Sequence, residues 1–136
     1  MKILVNGCTG TLGSELSQAL KEKFSDAEVI EVTHSQLDFS SYPDLLEYMM
    51  QEEQNGHIDY VVNCAAVVNT VGIESSFDIR NKSFAANVLI PKYLSAICHK
   101  LKSKLIHFST DFVFSEYSKK AVGGKYDEFP VNIYGC

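Results

Sequence analysis

The 136-residue sequence has no run of lysine and arginine, no apolar stretch near the length of a membrane span and no Cys-x-x-Cys pair. Each absence removes a class of function. With 12 basic against 17 acidic side chains and a net charge of −5, there is no electrostatic footprint for nucleic acid or an anionic membrane surface. One lysine and an apolar run of only three residues, Ile3-Leu4-Val5, precede Asn6, too few for a signal-peptide core, so export and membrane insertion are not expected. The four cysteines, Cys8, Cys64, Cys98 and Cys136, stand far apart, which predicts reduced thiols in a cytoplasmic setting and neither disulfides nor a metal site. Repeats, low-complexity tracts and interdomain linkers are also missing. The chain therefore reads as one domain at most, and its 46% apolar content suffices for a core.

What is present is concentrated in the first sixteen residues. Ile3-Leu4-Val5 reads as a buried parallel strand, and Gly7, Gly10 and Gly13 follow before a helix with Leu12, Leu16, Leu20 and Phe24 at helical spacing. Strand, glycine turn and helix together make a cradle for a nucleotide phosphate. One glycine permits the turn, one lets the backbone approach a pyrophosphate, and one lets the helix sit close on the sheet. The helix N-terminus then offers free N–H groups and a partial positive charge. Because the spacing is Gly-x-x-Gly-x-x-Gly rather than Gly-x-Gly-x-x-Gly, a glycine turn that binds nothing stays open as the competing reading.

Along the chain, the first helix should end near Phe24-Ser25-Asp26, and Glu28–Val32 is a second strand. About twenty residues past the glycines an acidic residue would read the adenosine ribose, but the strand ends Val32-Thr33-His34-Ser35 with no carboxylate unless Glu31 turns inward. His34 and Ser35 could accept a 2′-phosphate instead, or be only solvated turn residues. A helix begins with Ser41 as N-cap and Pro43 in its first turn, and buries Leu45, Leu46, Met49 and Met50. The third strand runs from Ile58 to Val67, and Ala65 and Ala66 at its end would let a flat ring or sugar approach. A polar stretch from Asn69 to Ser76 leads into a helix from about Phe77 to Lys102, kinked at Pro91, with Phe84, Val88, Tyr93, Ile97 and Leu101 as its apolar stripe. Asn87 in that helix calls for a hydrogen-bond partner, structural or at the cofactor. The fourth strand is expected from Lys104 to Phe114, with His107 a satisfied strand histidine and Ser109-Thr110-Asp111 at its C-terminal end. Residues 115 to 132 read as loop, including Gly123 and Gly124. The order β-α-β-α-β-α-β predicts an α/β Rossmann-type, doubly wound parallel sheet over residues 1–136, incomplete as it stands.

Gly7-x-x-Gly10-x-x-Gly13, Asn63-Cys-Ala-Ala66, Asn87, Ser109-Thr110-Asp111-Phe-Val-Phe114, Tyr126-Asp-Glu128 and Asn132-Ile-Tyr134-Gly135 together resemble the extended short-chain dehydrogenase/reductases, most closely the dTDP-4-dehydrorhamnose reductases. That resemblance implies reduction of the 4-keto group of a nucleotide-activated 6-deoxy sugar with NADPH or NADH. It implies Thr110 as the catalytic Ser/Thr and Tyr134 as the catalytic tyrosine. Gly7, Thr9, Gly10, Thr11, Leu12 and Gly13 would form the pyrophosphate loop, and His34, Asp38, Ala65, Ala66 and Asn87 would serve the rest of the NAD or NADP site. A nucleotide sugar is then the partner, and a homo-oligomer is left open.

The loop after the third strand departs from the family's Val-Asp-x-x-Glu and reads Val68-Asn-Thr-Val-Gly-Ile-Glu74. The lysine of the family's Tyr-x-x-x-Lys would fall two residues past Cys136. Bringing a tyrosine from about pH 10 toward neutrality asks for roughly 4 kcal/mol, which that lysine would help supply. The chain is thus expected to be part of a larger reductase, inactive alone, with its fourth strand an uncovered edge. A sister epimerase or 4,6-dehydratase is an alternative, although dehydratases tend to carry an acidic pair where Asp111 is followed by Phe112. A non-catalytic dinucleotide-binding regulatory module is another.

Overall fold

All five residues of β1 (Lys2–Asn6) are buried, the condition of a strand covered on both faces. In the computed structural model, which describes residues 1–114, 130 and 132–135, β1 is an inner strand of a four-stranded sheet. Its parallel neighbours are β2 (Glu28–Val32) and β3 (Tyr60–Asn63), and β3 in turn pairs with β4 (Lys104–His107), giving the order β2-β1-β3-β4. The twofold period of β1 divides the core. Ile3 and Val5 meet Val62 and, from α1 (Thr11–Lys23), Leu16 and Leu20. Leu4 and Val61 face Leu45 and Met49 of α2 (Tyr42–Gln54) and Leu94 and Ile97 of α5 (Ile90–Leu101), all six without solvent exposure. Helices on both faces of a parallel sheet make this the expected α/β Rossmann-type fold. Gly123, Gly124, Tyr126, Glu128 and Cys136 lie outside the described residues.

Several expectations are corrected. β3 stops at Asn63 rather than Val67, because β1 turns away at Gly7 and the last bond between them is Cys64 N–H to the Asn6 carbonyl at 2.9 Å. β4 stops at His107, since Thr110 accepts the Phe112 N–H on its hydroxyl at 3.2 Å and so starts a 3-10 turn over Asp111–Val113. The polar stretch is a helix, α3 (Thr70–Ser75), whose N-cap Asn69 accepts the Gly72 N–H at 2.9 Å. The long helix is α4 (Phe77–Phe84), a π turn over Ala85–Leu89, and α5. The wider turn comes just before Pro91, which has no N–H to give and whose ring crowds the carbonyl four residues back.

The π turn also divides the apolar stripe. Ile97 is buried with Leu94 and Cys98, and Tyr93 and Leu101 pack at the edge, but Phe84 and Val88 are 54% and 40% exposed. Their segment packs on α3 and α5, not on the sheet. Leu12, Phe24 and Met50 likewise face solvent, at the margins of their helices' buried stripes. β4 pairs only with β3 among the described residues, and Ile106 and Phe108 are each 45% exposed there.

Candidate functional site

The turn from β1 into α1 is built by backbone. Gly7 has φ +78°, and a Cβ there would lie 2.6 Å from the Ala65 nitrogen, so only glycine fits between the turn and the end of β3. A Cβ on Gly13 would run into the Gly7 carbonyl oxygen, so the helix sits directly on its own turn. Gly10 is different. Its φ is −80°, it is exposed, and a Cβ would meet nothing closer than 3.4 Å. No side chain caps α1 and no acidic residue stands in its first turn, which leaves the N–H groups of Thr11, Leu12 and Gly13 without a side-chain acceptor.

This turn forms one wall of a cleft of about 540 Å³ at the C-terminal ends of the strands, a volume that suits a small-molecule ligand. Gly7, Thr9 and Gly10 line it from the turn; Thr33, His34, Asp38, Phe39 and Ser40 from the segment after β2; Cys64, Ala65, Ala66 and Val67 from the segment after β3. Lys82 from α4, Ala85 and Ala86 from the π turn and Ile90 from the start of α5 close it, and these four were not singled out from the sequence. The signal was there: 82, 85 and 86 share one helical face.

Glu31 does not turn inward. Its carboxylate pairs with Lys21 at 2.6 Å and lines a separate hollow of about 380 Å³ against α1, and the Lys21 ammonium holds it below the usual carboxylate range. The acidic group on the cleft is Asp38, which accepts both the hydroxyl and the N–H of Ser40, at 2.6 and 2.9 Å, and is lowered by those bonds. It is therefore ionised at neutral pH. His34 is exposed beside a turn closed by Thr33 and Gln36, whose Oε1 accepts the Thr33 N–H at 2.9 Å. Asn87 lies behind the floor: its amide accepts the Val67 N–H at 2.9 Å and donates to the Val67 carbonyl at 3.0 Å and to Ser83 Oγ at 3.1 Å. All of these bonds are within the fold, and they fix the backbone on which Ala65 and Ala66 are carried.

A row of side chains joins the strand ends. Asn6, Asn63 and His107 occupy matching register positions on β1, β3 and β4. Asn6 Nδ2 donates to Asn63 Oδ1 at 2.8 Å, the same oxygen accepts the Ala65 N–H at 3.3 Å, and Asn63 Nδ2 meets His107 Nδ1 at 3.1 Å. An amide NH₂ only donates, so His107 Nδ1 is the acceptor and the ring proton sits on Nε2. His107 thus has the hydrogen-bond partner expected of it.

Thr110 and Tyr134 each adjoin the 3-10 turn. Thr110 caps it, and the ring of Phe112 within it meets the ring of Tyr134 edge to face, centroids 5.4 Å apart at 80°. Gly135 N–H donates to Asn132 Oδ1 at 2.9 Å, and a Cβ on Gly135 would run into the Phe112 carbonyl oxygen. Burial raises the thiols of Cys8 and Cys64 above their ordinary value and lifts that of Cys98 to about 11. Among the described residues no cluster of His, Cys, Asp and Glu could hold a metal ion, and no helix is long and apolar enough to cross a membrane.

Set beside known proteins, residues 1–136 match the family described as the RmlD substrate binding domain. The chain is 33% identical over 114 residues to the dTDP-4-dehydrorhamnose reductase of Mycobacterium tuberculosis strain CDC 1551, covering 83% of this chain and 34% of that protein. It superposes on a crystal structure of a dTDP-4-dehydrorhamnose reductase from Clostridium acetobutylicum with a TM-score of 0.85 and 27% identity, over 99% of this chain and 45% of that one. The Bacillus anthracis reductase in complex with NADP is alike in fold, with a TM-score of 0.82, 21% identity, and coverage of 98% of this chain and 45% of that one. The chain thus spans between a third and a half of the length of these proteins.

Proposed function

Since the chain belongs to the RmlD substrate binding domain family, we propose that residues 1–136 are the NAD(P)-binding Rossmann part of a reductase acting on the 4-keto group of a nucleotide-activated 6-deoxy sugar. One observation carries the cofactor reading. Gly10 has no steric or conformational need of its own in the fold, yet it stands bare at the uncapped N-terminus of α1 and faces the Ala65 and Ala66 floor. A bare backbone there suits the close approach of a diphosphate, which the N–H groups of Thr11, Leu12 and Gly13 would receive. Asp38 and His34 line the same cleft from the segment after β2, which suits an adenosine ribose or its 2′-phosphate, and Lys82 adds a cation to the wall.

The nicotinamide cofactor, when bound, supplies the hydride delivered to the carbonyl carbon of the sugar. Two residues of this chain act on the carbonyl oxygen. Tyr134 donates its phenolic proton to the carbonyl oxygen as charge develops on it, and the Thr110 hydroxyl hydrogen-bonds that oxygen and orients it. The edge-to-face contact of Phe112 with Tyr134 supports this pairing, because the element that places Thr110 also abuts the tyrosine. Phe112, where a dehydratase would carry a second acid, favours reduction.

The test has two readouts. NADPH and NADH titrations of the chain are expected to show binding in the micromolar range typical of such sites. Loss of NADPH absorbance with a 4-keto 6-deoxy sugar nucleotide, for the chain as it stands and in its natural context, reports turnover. Binding without turnover in either setting would turn the reading to a non-catalytic dinucleotide module, and no binding would end it.

A further inference from the structure

The turn that carries Tyr134 is fastened on two sides. On one, Gly135 lies under the Phe112 carbonyl. On the other, the Glu74 carboxylate accepts the Ile133 N–H at 2.6 Å, across 59 residues of sequence. A carboxylate acceptor makes this a charge-assisted bond.

Glu74 itself is held in place. The Arg80 guanidinium donates from Nε to the Ile73 carbonyl at 3.0 Å and from Nη2 to the Glu74 carbonyl at 2.8 Å. These belong to the last turn of α3, whose carbonyls have no partner inside the helix. At the other end Asn69 caps the helix, and its side chain fills the place a Cβ on Gly72 would need, 2.6 Å from Asn69 Nδ2. The segment Val68-Asn-Thr-Val-Gly-Ile-Glu74 therefore builds this short helix and presents Glu74.

We infer that Glu74, braced by Arg80, is a positioning residue for Tyr134: its carboxylate sets where the turn 132–135, and with it the phenol, comes to rest. This rests on the reductase reading only for what Tyr134 does there; the placement stands without it. Because Glu74 is exposed, water competes for the bond and the effect is a matter of position rather than of global stability.

The test uses the 136-residue chain and two variants. Glu74→Ala removes the acceptor, whereas Glu74→Gln keeps an acceptor oxygen at the same reach. Amide hydrogen exchange at Ile133, and the ring-proton shifts that Phe112 imposes on Tyr134, are read by NMR. In Glu74→Ala, Ile133 is expected to exchange about tenfold faster and the Tyr134 signals to move toward those of a free tyrosine, with Glu74→Gln within about threefold of the parent. An unchanged Ile133 rate and Tyr134 spectrum in Glu74→Ala would overturn the inference. So would loss of protection throughout α3, which would make Glu74 a structural residue of its helix. In a turnover assay of the protein in its natural context Glu74→Ala should lower kcat and leave the KM for NADPH as it was, since Glu74 is not among the residues lining the cleft. NADPH binding by the parent, measured on the same sample, reports on the reductase reading separately.

Discussion

The turn at Gly7–Gly13 and the turn at Asn132–Gly135 each bring a short segment to the C-terminal side of the sheet, but they are held differently. In the first, Gly10 N–H bonds to the Gly7 carbonyl at 3.0 Å, Ser14 N–H to the Gly10 carbonyl at 2.9 Å, and Gly13 packs on Gly7: backbone meets backbone within a few residues. In the second, side chains from α3 and the 3-10 turn reach across the fold to Ile133 and Tyr134. A turn made of its own backbone fails only when its geometry is violated. A turn made of borrowed contacts can be released one contact at a time, with the rest of the fold intact.

The largest expected effect is on the first turn. Gly13→Ala forces a methyl against the Gly7 carbonyl with backbone on both sides, and should cost about 3 kcal/mol. By thermal circular dichroism that is a fall in Tm of roughly 10 °C; a variant that melts with the parent would show that the turn can yield and would break the contrast.

Asn63→Leu ranks next, because Asn63 joins the two regions through the strand ends. It strips the acceptor from the buried Asn6 amide and the Ala65 N–H, and should cost about 2 kcal/mol, visible as a lower urea midpoint. An unchanged midpoint would mean that the row is decoration on the sheet.

Gly10→Ala sharpens the comparison within one turn. The fold should lose no more than about 0.5–1 kcal/mol, the N-cap preference for glycine over alanine, while NADPH affinity should fall about tenfold by calorimetry, as a methyl meets the diphosphate. A loss of Tm with no loss of affinity would put Gly10 in the same class as Gly13 and remove the main support for the cofactor site.

The smallest effect is on pH. The Ser40 hydroxyl and N–H lower the Asp38 carboxyl, so its folded value lies below its unfolded one. Its stabilisation is present above the unfolded carboxylate value of about 4 and is lost as the pH falls through the lower folded one. Asp38→Asn should therefore flatten Tm against pH on the acid side only; an unchanged acid limb would show that the Ser40 bonds contribute nothing.

Much of the first region was legible because its signals are local. A run of apolar residues, glycines at set intervals and a helical repeat give β1, the turn and α1, and β2 falls on the residues read for it. Gly7, Thr9, Gly10, His34, Asp38, Ala65 and Ala66 share one cleft, and each sits at or just past a strand end, where open α/β sheets take ligands. Lys82, Ala85 and Ala86 were not seen, since a polar-apolar-apolar face in a helix reads as packing until something shows what the helix covers. Phe84 and Val88 failed as core residues for the same reason: periodicity says which residues share a face and not whether a partner lies opposite. The ends of β3 and β4 were set by neighbours and by the Thr110 cap, against the β preference of Val67 and Phe112-Val113-Phe114.

By itself, then, the sequence determined the strand-turn-helix start, the alternation of strands and helices, and thereby a parallel sheet whose first strand ends at the glycines, because backbone conformation and hydrophobic period act over a few residues. Only the tertiary structure decided that Glu31 belongs to Lys21 and Asp38 to the cleft, that Asn6, Asn63 and His107 form one row, and that Glu74 holds the turn of Tyr134. Those are hydrogen bonds and ion pairs between residues far apart in the chain, and a polar side chain carries no mark of which distant partner the folded backbone will bring to it.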